Sequence, residues 1–264
     1  MSFYSTLEIE SEENPLISFI GGGGKTSSMF QLAKELKKQG KKVLVTTTTA
    51  IYKPTKDQYD YLMLTEEDNI EENNIEEKLN DYSALSGITV IGGRVNTEGK
   101  MFAPEVSLIE KLKEKKYFDV IILEADGAKK LPLKAPANHE PVIPKGTSIV
   151  VAVMGIEALE GRPIEEIVHR WERFCQITGS KAYEKVQEDH IIKLITHEEG
   201  SFKGVIDQVN IKKYLLINKV DHHQRRRLAL SIIKRIEQEV FFLEGVIIAS
   251  IMGQQFELKR FVKR

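Results

Sequence analysis

The sequence predicts an α/β protein with a mostly parallel central sheet and helices on both of its faces. Three observations lead to this prediction. Apolar runs of strand length alternate with segments of helical periodicity along the 264 residues. A run of four glycines joins the first apolar run to the first helical segment. Alternation of strands and helices is typical of parallel sheets built from βαβ units.

The composition is that of an ordinary globular protein, with 41% hydrophobic and 29% charged residues. The length fits a single domain over residues 1–264. The formal net charge of −1 gives no overall attraction to nucleic acid or to an anionic membrane. The single cysteine, Cys175, excludes an internal disulfide and a cysteine-rich metal site. Neither a signal peptide nor a bilayer-spanning run is visible, so a cytoplasmic protein is expected.

The first strand and its glycine loop predict a phosphate site. Residues 16–20 form a largely apolar run, and then come Gly21, Gly22, Gly23 and Gly24. Glycines permit positive φ angles, and a helix N-terminus attracts anions through its free amides. Lys25 would reach the outer phosphates, Thr26 would hold Mg²⁺, and Ser27 would complete the nucleotide-binding loop.

This loop departs from the P-loop pattern G-x-x-x-x-G-K-S/T at one position, because Phe19 stands where that pattern has glycine. The alternative is a glycine-rich turn with an incidental lysine. The strand before the loop and the helix after it favour the phosphate site. The expected architecture is therefore a P-loop NTPase-like three-layer fold.

The next elements continue the βαβ pattern. Helical spacing follows the loop and should end at Gly40, and residues 43–45 should form a second strand. Ligands in parallel sheets bind beyond the carboxyl ends of the strands. The threonines at residues 46–49 therefore either meet the ligand or merely reflect β-propensity.

The segment at about residues 55–87 is predicted to be a less regular insertion. A short strand is expected at residues 61–64, and residues 66–81 are acidic enough to form a solvated connection or a weak helix. Residues 88–91 predict another strand. Helical spacing then resumes from Val106 to Leu112.

A nearly continuous apolar run at residues 118–123 predicts a strand that is buried on both faces. It ends in Glu124 and Asp126, whose spacing puts both carboxylates on one side of the strand. Such a pair resembles a Walker B element, in which one carboxylate holds Mg²⁺ through water and the other orients a water molecule or accepts a proton. Asp126 is the predicted metal residue together with Thr26, and Lys25, Glu124 and Asp126 are the catalytic candidates. The alternative is a strand-ending turn with incidental acids.

Residues 129–144 contain four prolines and predict a stiff extended loop. Its lysines would be able to close over a phosphate-bearing ligand. His139 is a weaker catalytic candidate, because a lone histidine in a loop is usually only solvated. A buried strand is expected at residues 148–153, and a mostly helical segment at about 157–200.

A second nucleotide motif follows the apolar run at residues 214–217. Asn218, Lys219 and Asp221 match the N/T-K-x-D motif by which GTPases recognise guanine. A carboxylate can accept hydrogen bonds from both N1–H and the exocyclic amine of guanine, and adenine offers no such pair. Asn218 and Lys219 would brace the loop and cover the ring. The alternative is a polar turn. A helix is expected around residues 228–240, and the last strand at residues 245–250.

Taken together, the motifs resemble the YqeC-type selenium-dependent hydroxylase accessory proteins. The resemblance rests on Ile-Gly-Gly-Gly-Gly-Lys-Thr, Val-Thr-Thr-Thr-Thr, Leu-Glu-Ala-Asp-Gly-Ala-Lys-Lys-Leu-Pro-Leu-Lys-Ala-Pro and His-Glu-Pro-Val-Ile-Pro. It runs from about residue 18 to about residue 250. It implies a P-loop protein that assists the maturation of selenium-containing molybdenum hydroxylases, with such a hydroxylase or its cofactor as partner.

More distantly, the loop resembles that of the SIMIBI class of P-loop NTPases. Members of that class that act as dimeric ATPases carry a signature lysine, which would stand at position 20, where this chain has Ile20. The departure argues against the dimeric ATPase mechanism and favours a GTPase-like one. The sequence is compatible with a homodimer but does not establish the oligomeric state.

The motifs are compatible with three functions. The first is a Mg²⁺-dependent nucleoside triphosphatase, with GTP favoured over ATP, that couples hydrolysis to cofactor or metal delivery. The second is a phosphoryl- or nucleotidyl-transferase acting on a molybdopterin-type cofactor, with the proline-rich loop and the threonines forming the acceptor pocket. The third is a nucleotide-gated assembly chaperone with negligible turnover. None of the three requires nucleic acid or a membrane.

Overall fold

The computed structural model describes residues 2–9, 12–68, 74–80 and 86–261. The strands are Leu16–Gly21 (β1), Lys42–Thr47 (β2), Ile51–Tyr52 (β3), Tyr61–Leu64 (β4), Gly87–Gly92 (β5), Lys100–Met101 (β6), Val120–Glu124 (β7), Leu133–Lys134 (β8), Ile149–Gly155 (β9), Val168–His169 (β10), Lys212–Asn218 (β11), Gly245–Ser250 (β12) and Gln255–Arg260 (β13). The α-helices are Phe3–Thr6 (α1), Lys25–Lys38 (α2), Ile75–Asn80 (α3), Val106–Glu114 (α4), Ile164–Ile167 (α5), Trp171–Thr178 (α6), Glu188–Thr196 (α7) and His223–Glu239 (α8). A 3₁₀ helix covers Ile156–Leu159.

Nine of these strands form one sheet in the order β13-β12-β11-β9-β1-β7-β2-β5-β4. All neighbours run parallel except β12 and β13, which are antiparallel. Strand β1 lies at the centre, between β9 and β7. The glycine loop therefore leaves the middle of the sheet, with strands on either side to support a ligand.

Helices cover both faces of the sheet. Helices α1 and α2 pack on the face that carries Ile17 and Phe19 of β1, and α3 to α8 pack on the face that carries Leu16 and Ile20. Successive side chains of a strand point to opposite faces, so a strand covered on both sides needs an unbroken apolar run. The predicted α/β class, with three layers and a mostly parallel sheet, is confirmed.

The apolar runs located the strands of the main sheet well. The runs at residues 16–20, 43–45, 61–64, 88–91, 118–123, 148–153, 214–217 and 245–250 correspond to β1, β2, β4, β5, β7, β9, β11 and β12. The helical periodicities correspond to α2, α4 and α8. Part of the acidic segment forms α3, and residues 69–73 and 81–85 of the predicted insertion lie outside the described residues.

The structure corrects the expectation for the C-terminal end. Strand β12 is not the last one, because the residues after it turn back as β13 and pair with β12. The first two residues of the basic segment 259–264 belong to β13, and residues 262–264 lie outside the described residues. Phe256 of β13 stacks on Phe3 of α1, with ring centroids 5.1 Å apart. Charged residues are common on edge strands, where they oppose pairing with another chain. Because β13 is a charged edge strand, its sequence contains no apolar run from which the strand could be predicted.

Residues 157–200 combine the short helices α5, α6 and α7 with strand β10. Strand β10 pairs with β8 of the proline-rich loop, so that His169 lies in register with Lys134. Within the described residues, none of the helices has the length and apolar character that crossing a bilayer demands.

Candidate functional site

A cleft of about 850 Å³ opens at the carboxyl edge of the sheet. It is bordered by residues 22–27 of the glycine loop and α2, by residues 49–52 after β2, by Glu124 and residues 127–131 at the end of β7, and by Lys219 after β11. Glu140, His169 and Arg170 also border it. Ligands of parallel sheets bind at this edge. The fold therefore brings residues from each of the main sequence motifs to one place.

Three of the four glycine amides in the loop are already bonded within the protein. The Gly21 N–H donates to both carboxylate oxygens of Asp126 at 3.1 Å. The Gly22 and Gly23 N–H groups donate to neighbouring backbone carbonyls, both at 2.9 Å. The amides of residues 24–27 are different, because none of the described residues accepts a hydrogen bond from them. These amides, at the start of α2, are the ones available to an anion.

Glycine is required in this loop for two separate reasons. Gly23 has a φ of +72°, and a Cβ there would lie 2.0 Å from the backbone nitrogen of Gly155. Gly24 has a φ of +120°, a value that L residues rarely adopt. The loop is thus both tightly packed against β9 and turned in a way that other residues would resist.

Lys25 lies buried beneath the cleft with 4% exposure. Its ammonium donates to the Gly21 carbonyl at 2.5 Å and pairs with Asp126 at 3.1 Å and with Glu124 at 3.4 Å. Burial acts to lower the pKa of Lys25, but the charges of Asp126 and Glu124 outweigh it and raise that pKa above its ordinary value. Lys25 is therefore charged.

The two predicted acids differ in their surroundings. The Thr26 hydroxyl donates to Glu124 Oε2 at 2.6 Å, and Glu124 borders the cleft. Asp126 is 2% exposed and is held by the Gly21 amide, by Lys25 and by Lys134, whose ammonium lies 3.1 Å from Oδ2. The structure thus brings Thr26 next to Glu124 and keeps Asp126 behind them. In the described parts of the chain, no group of three or more His, Cys, Asp or Glu side chains could hold a metal ion.

Lys134 extends this cluster into a buried charge network that sequence reasoning missed. Its side chain is fully buried, and its ammonium lies 2.7 Å from Glu140 Oε2 and 3.1 Å from Asp126, close enough for ion pairs but outside hydrogen-bond angles. Arg170 Nη1 lies 3.2 Å from the same oxygen of Glu140. Burial lowers the pKa of Lys134 despite the opposing charges of Asp126 and Glu140. We call Lys25, Asp126, Lys134, Glu140 and Arg170 the buried charge network.

His169 completes the wall of the cleft beside this network. Arg170 Nη1 lies 2.6 Å from His169 Nε2, so this nitrogen acts as the acceptor. Burial, together with the charges of Arg170 and Lys134, lowers the pKa of His169 to about 4. His169 is therefore neutral near pH 7. Only its charged neighbourhood, which the sequence does not display, marks it as part of the site.

We expect His169 to make the protein less stable as the pH falls from about 6.5 to about 4. Its pKa of about 4 in the folded state lies below the ordinary value of 6.5, so over this range the unfolded chain takes up the proton first. The variant His169→Gln should show a smaller fall in Tm between about pH 7 and about pH 5 than the wild type. The exposed His139 provides the control, and His139→Gln should behave as the wild type does. Equal falls in all three proteins would contradict the assignment.

Asn218 of the predicted guanine motif braces the phosphate loop. It is 3% exposed, its Nδ2 donates to the Gly23 carbonyl at 2.9 Å, and its Oδ1 accepts from the Ile251 amide at 3.3 Å. Asn218 therefore fixes the loop to the end of β12.

Lys219 and Asp221 are placed differently from each other. Lys219 borders the cleft and pairs with Glu157. Asp221 is not among the residues that border it, its side chain is 51% exposed, and both its oxygens lie 3.1 Å from Arg225 Nη1. A guanine base would have to replace Arg225 as the partner of Asp221.

The threonines at residues 46–49 mostly bond to neighbouring backbone. The Thr46 hydroxyl donates to a carbonyl of β5 at 2.7 Å, the Thr47 hydroxyl to the Glu124 carbonyl at 3.0 Å, and the Thr48 hydroxyl to the loop after β8 at 2.8 Å. Thr49 is the one threonine of the four that borders the cleft. His139 is exposed and does not border it.

Comparison with known proteins identifies the family of the chain. A family model described as YqeC protein matches residues 17–172. The protein YqeC of Escherichia coli (strain K12) is 36% identical over 204 residues, which cover 75% of this chain and 75% of that protein. The chain belongs to the YqeC protein family. The matched segment holds the glycine loop, Glu124, Asp126 and the whole buried charge network, whereas residues 218–221 lie beyond it.

Among solved structures, the chloroplast FtsY from Physcomitrella patens is similar with a TM-score of 0.43 and 13% identity. The match covers 97% of this chain and 65% of the FtsY chain. The present chain thus corresponds to somewhat less than two thirds of that protein.

Proposed function

We propose that the chain is a Mg²⁺-dependent nucleoside triphosphatase that binds the phosphates of its nucleotide at residues 21–27, with GTP as the preferred nucleotide. The observation that carries this proposal is the group of unbonded amides at residues 24–27, next to Lys25 at the edge of the cleft. Amides at a helix N-terminus and a lysine charge together form a site for a polyphosphate. The cleft of about 850 Å³ is large enough for such a ligand.

Thr26 and Glu124 are the residues that we propose to hold Mg²⁺. They offer a hydroxyl and a carboxylate 2.6 Å apart beside the loop, and oxygen is the ligand that this ion prefers. When bound, the ion would neutralise charge on the outer phosphates of the nucleotide. The engagement of Asp126 with Lys25 and Lys134 supports a positioning role for Asp126 instead.

The remaining groups would act by position and charge. Lys25 would turn from its carboxylates to the outer phosphates, and the amides of residues 24–27 would stabilise the charge that develops there. Asp126 has both oxygens engaged, and Glu124 would be occupied with the ion. With neither acid free to orient the attacking water, we expect slow turnover that a partner would raise.

We further propose that this activity serves the maturation of selenium-dependent molybdenum hydroxylases, the role that the resemblance to the YqeC-type proteins implies. The client would then be such a hydroxylase or its cofactor, and the protein would work in the cytoplasm. A test is the recovery of hydroxylase activity in cells that carry either the wild-type chain or a variant that cannot bind nucleotide.

Thermal shifts with GTP, ATP and CTP and their diphosphates, each with Mg²⁺, test the choice of nucleotide. We expect GTP or GDP to stabilise the wild type most, because Asp221 can accept from two donors of guanine. In Asp221→Ala the ratio of GTP to ATP affinity should fall by about 10- to 100-fold. Asp207→Ala, which removes another exposed aspartate, serves as the control. A preference for ATP or CTP, or an unchanged ratio of GTP to ATP affinity in Asp221→Ala, would contradict guanine recognition by residues 218–221. These residues would then only support the phosphate loop.

A further inference from the structure

The cleft carries more positive charge than its own carboxylates neutralise. Six cationic side chains border it, namely Lys25, Lys100, Lys129, Lys130, Arg170 and Lys219, against the two carboxylates Glu124 and Glu140. Four of the six have carboxylate partners, some of which lie just outside the cleft. Lys129 and Lys130 are the two for which the described residues provide no carboxylate contact. We call Lys129, Lys130 and Arg170 the basic wall.

The backbone of the basic wall is held in an unusual conformation. Lys129 has a φ of 48°, Lys130 a φ of 63° and Arg170 a φ of 61°, all in the left-handed region. This region costs an L residue free energy, and such residues concentrate at ligand sites. Lys130 also lies over the ring of Tyr52, with its ammonium 4.3 Å from the ring centroid. Three strained cationic residues thus border one cleft.

A nucleotide does not by itself account for this wall. In the sheet order, β11 lies on the β9 side of β1, whereas β7 and β2 lie on the other side. Residues 218–221 follow β11, and Lys129 and Lys130 follow β7. A nucleotide that runs from the glycine loop towards residues 218–221 therefore extends away from Lys129 and Lys130. A nucleotide bound in this direction would have its outermost phosphate on the side of these two lysines.

We propose that the basic wall binds a second anionic ligand, a phosphate-bearing small molecule, beside the outer phosphate of the nucleotide. This inference rests on the proposed function, since it names a second ligand class for the same cleft. Lys129 and Lys130 supply mobile charges at the mouth, and Arg170 supplies a planar donor that Glu140 and His169 hold in place. Arg170 borders the cleft, and its side chain is 29% exposed.

The test is a calorimetric titration with inorganic pyrophosphate of protein that is already saturated with Mg²⁺ and a non-hydrolysable GTP analogue. The wild type should bind one further equivalent. In the double variant Lys129→Gln, Lys130→Gln the affinity for pyrophosphate should fall at least about tenfold, because two charge-assisted contacts are lost. The affinity for the analogue should change by less than about threefold. Lys129→Arg, Lys130→Arg keeps the charges and should keep the binding.

The control removes the same charge elsewhere. Lys38 and Lys41 are exposed and lie at the amino edge of the sheet, so Lys38→Gln, Lys41→Gln should bind pyrophosphate as the wild type does. Absence of the second equivalent, competition between pyrophosphate and the analogue, or an equal loss in the control would overturn the proposal. If the analogue itself fails to bind, the proposed function fails. In that case, pyrophosphate is titrated into Lys25→Met. Binding that persists in this variant and is lost when Lys129 and Lys130 are also replaced by glutamine would support the basic wall. Any other result would overturn it.

Discussion

Replacing Lys134 by methionine is expected to lower the free energy of unfolding by about 3–5 kcal/mol. Its side chain is fully buried between Asp126 and Glu140, at 3.1 and 2.7 Å. Methionine keeps much of the volume but removes the charge, so Asp126 and Glu140 would lose the cation they share. Breaking one partner of a buried ion pair is costly, because the remaining charge stays desolvated. Denaturant titration measures the change, and a fall in Tm on the order of 10 °C should accompany it.

Two further variants show whether the loss comes from the charge. Lys145→Met changes an exposed lysine and should alter stability by less than about 0.5 kcal/mol. Lys134→Met combined with Glu140→Gln removes one of the two carboxylates that lose Lys134 as a partner and should recover part of the stability. A loss below about 1 kcal/mol in Lys134→Met would mean that the network contributes little to the fold.

Replacing Lys25 by methionine is expected to weaken nucleotide binding by about 100-fold, since charge-assisted contacts to phosphate contribute about 1.5–3 kcal/mol each. Lys25 is the one cation of the cleft that the loop itself carries at the start of α2. The variant should also lose stability, because Lys25 is a buried cation paired with Asp126 and Glu124, so its affinity is measured well below its lowered Tm. Asp126 keeps the Gly21 amide and Lys134, and Glu124 keeps the Thr26 hydroxyl. Titration with a fluorescent nucleotide measures the affinity of the folded variant.

Lys38→Met is the matched control, because Lys38 is exposed in the last turn of the same helix. Its nucleotide affinity should equal that of the wild type. If Lys25→Met binds nucleotide as tightly as the control does, the buried lysine serves the structure alone and the phosphate site must be sought elsewhere in the cleft.

Part of the candidate site could be predicted from the sequence because its residues are neighbours along the chain. The end of the glycine loop and the start of α2 are continuous in sequence, and both border the cleft through Gly23, Gly24, Lys25 and Thr26. The sequence could not show which of Glu124 and Asp126 lies next to Thr26. Their spacing puts both on one side of the strand, but the Thr26 hydroxyl meets only Glu124, and Asp126 is drawn towards Lys134.

The sequence by itself determined the mostly parallel sheet, the glycine loop between the first strand and the first long helix, and the polar motifs that follow the apolar runs. These features follow from local periodicity, since an apolar run records how a strand is buried on both faces. The tertiary structure alone decided which charges meet. Lys134 and Glu140 join the site because β8 pairs with β10, and Asp221 faces Arg225 because α8 begins beside it. Such pairings depend on the register of segments distant in the chain, and neither composition nor periodicity carries that information.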